Sequence, residues 1–109
     1  MTESKTPDGR FDPINSDLLE RLTLAAGGPE GLSAAAQALL LDGQGDWSGA
    51  HDLINKMETP DAMAVHAYLH RQEGDAWNAD YWYRRAGRRR FNGTLEQEWQ
   101  SLVVELLAC

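Results

Sequence analysis

The stretch PDAMAVHAYLHRQEGDAWNADYWYRRAGR, residues 60–88, decides the fold. Thr59 stands just before it. A threonine followed by proline marks a helix start, because the hydroxyl accepts a free backbone N–H and proline suits the first turn. Alanines and larger apolar side chains then recur at helical spacing to about Glu73, and Gly74 closes the helix. Asp75 caps a second helix carrying Trp77, Ala79, Trp82, Tyr83 and Ala86. The segment therefore reads as helix, Gly-Asp turn, helix.

The same grammar extends in both directions. Upstream, Asp46 caps a helix with Trp47, Ala50, Leu53, Ile54 and Met57 on one side. Before it, Pro29 opens a helix through Leu32, Ala36, Leu39 and Leu40 that stops near Gly43. Asp12-Pro13 starts a still earlier one, with Ile14, Leu18, Leu22 and Ala25 or Ala26, ended by Gly27-Gly28. Downstream, Asn92-Gly93 breaks the chain and Thr94–Gln97 has the form of a capping box. Leu95, Trp99, Leu102, Val103, Leu106 and Leu107 then form one apolar stripe. No segment alternates with period two. The reading is all-α: six helices and no sheet, with residues 1–11 as a loose polar tail and one domain over residues 12–109.

Two units repeat at an offset of 29 residues. Gly45-Asp46 matches Gly74-Asp75, Ala50 matches Ala79, Ile54 matches Tyr83, and Ala38 matches Ala67. Glycine supplies the left-handed end of each first helix, aspartate caps each second helix, and the alanines let the two approach closely. These features resemble the tetratricopeptide repeat, with its pattern W-x2-L-G-x2-Y, A-x3-F and P. Ala67 sits in the glycine slot and Ala79-x3-Tyr83 in the A-x3-F slot, while Met63, His66 and His70 replace the tryptophan, leucine and tyrosine. The offset is also shorter than the family's usual period of about 34 residues.

The resemblance implies stacked antiparallel hairpins, with units at about residues 31–57 and 60–88 between two capping helices, the last over residues 94–108. It also implies a concave face lined by Tyr68, Arg71 and Gln72 in one unit and by Leu39 and Asp42 in the other. The strings His66-Ala-Tyr-Leu-His-Arg71 and Tyr81-Trp-Tyr-Arg-Arg-Ala-Gly87 further resemble those of a small uncharacterised family, which brings no activity with it.

Composition narrows the function classes. At 109 residues the chain fits one domain, able to bury somewhat over ~60% of its unfolded surface without a disulfide or metal. Its net charge of −7 argues against a generic nucleic-acid or anionic-membrane binder, whose affinity rests on Lys and Arg. The basic residues are clustered: Arg84, Arg85, Arg88, Arg89 and Arg90 are five of the ten. Cys109 is the one cysteine, so no internal disulfide forms, which fits a reducing compartment. The first residues are polar and lack the apolar core of a signal peptide, and no apolar run reaches membrane-spanning length. The expected location is the cytoplasm.

Three groups are candidates for function. His66 and His70 stand one turn apart, the spacing of a two-histidine metal site, with His51, Glu73 or Asp80 as a third ligand. The HExxH glutamate is absent and no cysteine helps. The competing reading, the one favoured here, packs both rings against the partner helix beside Trp77, Tyr81 or Tyr83. The second group is aromatic: Trp77, Tyr81, Trp82 and Tyr83, with Tyr68 on the preceding helix. At about 100° per residue the four on one helix cannot all face one core. The third is the arginine run. It suits a helix C-terminus and can pair with Glu96 and Glu98, or it can clamp carboxylates and phosphates.

No nucleophile–base pair is recognisable by spacing, and Gly27–Gly31 lacks the spacing and lysine of a phosphate loop. The expectation is a non-enzymatic module that needs no cofactor. It binds an acidic or carboxylate-bearing protein or peptide through Tyr68, Arg71, Arg84, Arg85 and Arg88. The alternatives are a metal protein or enzyme centred on His66 and His70, and a phosphate or RNA contact through the arginines. A second copy of the chain is a further candidate partner.

Overall fold

A computed structural model describes Asp17, Glu20, Arg21, Thr23, Leu24, Gly27, Gly28 and residues 31–108. Within them lie five helices: α1 (Ala34–Gly43), α2 (Trp47–Ile54), α3 (Pro60–Gln72), α4 (Ala76–Arg85) and α5 (Leu95–Ala108). No strand forms among the described residues. No helix there is long and apolar enough to cross a membrane. The polar tail, Cys109, and most of the expected first helix with its apolar stripe lie outside the described residues. Of that helix, Asp17, Glu20, Arg21, Thr23 and Leu24 are helical.

Local chemistry places the boundaries. Ser33 caps α1 by accepting the Ala36 N–H at 3.2 Å, so this helix begins at Ala34, five residues past the expected start at Pro29, which lies outside the described residues. A free serine hydroxyl meets an orphan N–H there. Thr59 accepts the Ala62 N–H at 3.2 Å with Pro60 as the first residue of α3. At α5, the Gln97 side chain accepts the Thr94 N–H at 2.9 Å and the Thr94 hydroxyl accepts the Gln97 N–H at 3.0 Å. Met57, expected on the apolar side of α2, lies past its end and is exposed.

The two Gly-Asp turns adopt one geometry. Gly45 and Gly74 have φ of 90° and 88°, values that L-residues with a Cβ avoid. Asp46 and Asp75 follow at φ −103°, ψ 75° and φ −97°, ψ 80°. Each aspartate N–H reaches back to a helix carbonyl, Leu41 or His70, at 2.9 Å, and each carboxylate accepts an N–H of the next helix, from Gly49 or Asn78. The paired small residues Ala38, Ala67, Ala50 and Ala79 are all buried, as are Ile54 and Tyr83.

α3 is the centre. Every residue from Ala62 to His70 is buried, so this helix is covered on all sides. It packs against α1, α2, α4 and α5. α4 is peripheral, burying only Ala79 and Tyr83. α5 lies across α1 and α3, where Trp99 is fully buried and donates its indole N–H to the Leu39 carbonyl at 3.1 Å.

Candidate functional site

Every residue of the expected partner surface has a definite place. Tyr68 is in the core with 0% exposure, its hydroxyl donating to Asp42 Oδ2 at 3.0 Å. Gln72 donates to Asp42 Oδ1 at 2.8 Å. A fully buried ring cannot meet a partner, so Tyr68 holds α3 to α1 instead. Arg71 is also turned inward. Its guanidinium donates to Glu98 Oε1 at 2.8 Å and to the Gly93 carbonyl, and it lies near the Phe91 ring. Tyr83 donates to the other Glu98 oxygen at 2.5 Å. Glu98 is 2% exposed, so this Arg71–Glu98–Tyr83 group is an internal lock between α3, α4 and α5. Burial, then the carboxylate beside it, pushes the Tyr83 phenol well above its ordinary value.

The arginine run divides. Arg88 grips Glu105 with two guanidinium nitrogens, at 2.5 and 3.2 Å, and Arg90 grips Asp80 at 2.6 and 2.9 Å. These two are occupied within the chain. The arginine on Glu98 is Arg71, outside the run. Arg85 has a loose contact with Glu58 at 3.6 Å and lies over the Trp82 and Tyr81 rings, 4.8 and 5.8 Å from their centroids. Arg84 and Arg89 are exposed and make no ion pair among the described residues.

An aromatic surface lies beside them. Trp77 is 74% exposed and Tyr81 39%. They stand one turn apart on α4 with parallel rings, 6.4 Å between centroids and 8° between planes. Tyr81 meets Trp82 edge-on at 5.2 Å. Trp77, Tyr81 and Arg85 thus ascend one side of α4 at a spacing of one turn. The sequence shows that rings must face outward; which ones do so depends on where α3 and α5 lie.

Trp82 leads inward to the histidines. It stacks on His66 with centroids 3.9 Å apart. His66 in turn stacks on His70 at 4.8 Å and meets His51 edge-on at 4.8 Å. Trp47 stacks on the other histidine, His51, at 4.9 Å, and is anchored by its indole N–H on the Leu69 carbonyl at 2.8 Å. The histidine neighbours are therefore Trp82 and Trp47, in place of the expected Trp77, Tyr81 or Tyr83. Of the three candidate third ligands, His51 joins the pair, while Glu73 accepts the His70 Nδ1–H at 3.0 Å and Asp80 is bound to Arg90.

His66 Nε2 and His51 Nε2 are 3.1 Å apart, and His66 Nδ1 is buried without a hydrogen-bond partner. Burial, then the neighbouring His70 and His51 rings, pulls the His66 pKa from 6.5 to about 3. His51 is also lowered, by burial and then His70, against the opposing influence of Asp52 and Glu73. Two neutral imidazoles therefore stand side by side near neutral pH.

No family model, curated protein or solved structure matches the chain.

Proposed function

We propose that this chain is a non-enzymatic interaction module that uses the outer face of α4 to bind an acidic segment carrying an apolar side chain. The observation that carries the reading is Trp77: a large indole left 74% exposed, stacked on Tyr81, within two turns of Arg84 and Arg85. Tryptophan, tyrosine and arginine are the residue types on which binding energy concentrates. Leaving the indole in water forgoes the stabilisation its burial would give the free domain.

Charge supplies the second support. Among the described residues Arg84 and Arg89 pair with no carboxylate, whereas Arg71, Arg88 and Arg90 do. A basic strip on a chain of net charge −7 steers a negative partner to one place. The proposed contact set is Trp77, Tyr81, Arg84 and Arg85, with Arg88 contributing only where a partner displaces Glu105.

The matching Gly45-Asp46 and Gly74-Asp75 geometry and the buried Ala38, Ala67, Ala50 and Ala79 support two repeat hairpins of the tetratricopeptide type, closed by α5. Such arrays present elongated surfaces to peptides.

Titration of Trp77 fluorescence with Glu-rich peptides carrying one Leu or Phe tests the proposal, with Lys-rich peptides as controls. Saturable binding that weakens with salt, and is lost in Trp77→Ala, supports it. Equal response to acidic and basic peptides, or an undiminished response in Arg84→Ser/Arg85→Ser, contradicts it.

A further inference from the structure

The chain has three histidines, and all three meet at one point. His66 and His70 come from successive turns of α3, and His51 from α2. One nitrogen from each lies within 4.8 Å of one from each of the others. Nothing in the surface proposed above requires this. Ordinary packing would fill the space with aliphatic side chains, which leave no nitrogen stranded. Here two ring nitrogens, His51 Nε2 and His66 Nε2, face each other 3.1 Å apart instead.

We propose that His51, His66 and His70 bind one late first-row divalent cation, with Zn2+ as the reference ion. Imidazole is the ligand type these ions share. Zinc–nitrogen bonds of about 2.0–2.1 Å place two ligand nitrogens of a tetrahedral site about 3.3 Å apart. His51 Nε2 and His66 Nε2 are already 3.1 Å apart. The ion replaces the hydrogen bond between them, each ring then holding its proton on Nδ1. His70 is oriented for the same purpose: its Nδ1 is held by the Glu73 carboxylate at 3.0 Å, which leaves Nε2 as its ligating nitrogen. A carboxylate behind a ligating histidine is the usual support of such sites.

The surroundings shape the site. Trp47 and Trp82 cover two of the rings, while His51 itself is only partly buried and gives the ion a way in. Three protein ligands leave the fourth position to water or an exogenous group.

The test uses the full chain, stripped of metal by chelator and titrated with Zn2+ by calorimetry and with Co2+ by visible absorption. One equivalent should bind, with the intense absorption of tetrahedral Co2+. Cu2+ should quench the emission of Trp47 and Trp82, which stack on two ligands. His51→Asn, at a partly exposed position, should abolish saturable binding while the helical spectrum persists. Glu73→Gln should weaken binding by about 10–100-fold, the range for a supporting carboxylate. Absence of saturable binding overturns the proposal, as does unchanged affinity in both His51→Asn and His70→Ala, which would assign the cluster to packing alone.

Discussion

At the scale of single residues, the molecule separates side chains that hold it together from side chains that face outward. Glu98 is the clearest of the first kind, since it receives both Arg71 and Tyr83 in the interior. Glu98→Ala leaves a largely buried guanidinium unpaired, and the expected cost is about 3–5 kcal/mol in chemical denaturation. Tyr83→Phe removes one hydrogen bond to a charge and should cost about 1.5–3 kcal/mol. A neutral Glu98→Ala would show that the lock contributes nothing.

His66 gives a pH signature in the metal-free protein. Its unfolded pKa is near 6.5 and its folded one near 3. Between those values the unfolded chain binds the proton that the folded chain refuses. Stability is therefore full above 6.5 and falls as pH drops toward 3. Melting temperatures across that window should fall less steeply in His66→Leu than in the parent. Equal slopes would mean that the burial of this imidazole does not govern the titration. Sequence spacing exposed the His66–His70 pair, because i,i+4 geometry is local. His51 stood among three candidates, because its approach depends on how α2 lies against α3.

At the scale of elements, short-range chemistry was the most readable part. The Thr59-Pro60 start, the Gly-Asp turns and the Thr94 capping box all depend on residues within a few positions of each other. Each appears where the chain spells it. The helix expected to open at Pro29 is instead capped by the Ser33 hydroxyl, a local signal just as short in range. Long-range partners were not readable at all. Tyr68 looked like a groove residue until its partner Asp42, 26 residues away in the chain, took it into the core.

The turns yield a prediction at this same scale. Nothing lies within 4 Å of a Cβ built on Gly45 or Gly74, so Gly→Ala there costs only the left-handed backbone. The expected loss is about 1–2 kcal/mol at each position. Similar losses at both sites would mark the turns as energetically equivalent. A loss at one alone would separate them.

At the scale of the whole molecule, α3 is buried on every side and the peripheral helices decide how well it is sealed. α5 seals it with Trp99, Leu102 and Val103. A chain ending at Gly93 should therefore lose cooperative unfolding and expose apolar surface to dyes. A soluble truncated form with unchanged melting would remove the sealing role. With α5 in place, α4 turns an indole and a phenol outward beside Arg84, which makes no ion pair among the described residues, and Arg85, held only loosely by Glu58.

The most direct measurement compares the parent with Arg84→Ser/Arg85→Ser for two quantities together, melting temperature and affinity for an acidic, Leu-containing peptide. Both arginines are surface residues, with one loose ion pair and two ring contacts between them, all made by Arg85, so melting should change little. Affinity should fall at least ~10-fold, as two charge-assisted contacts are removed. Unchanged affinity would contradict the account, and a fall in melting temperature with no change in affinity would assign these arginines to the fold instead.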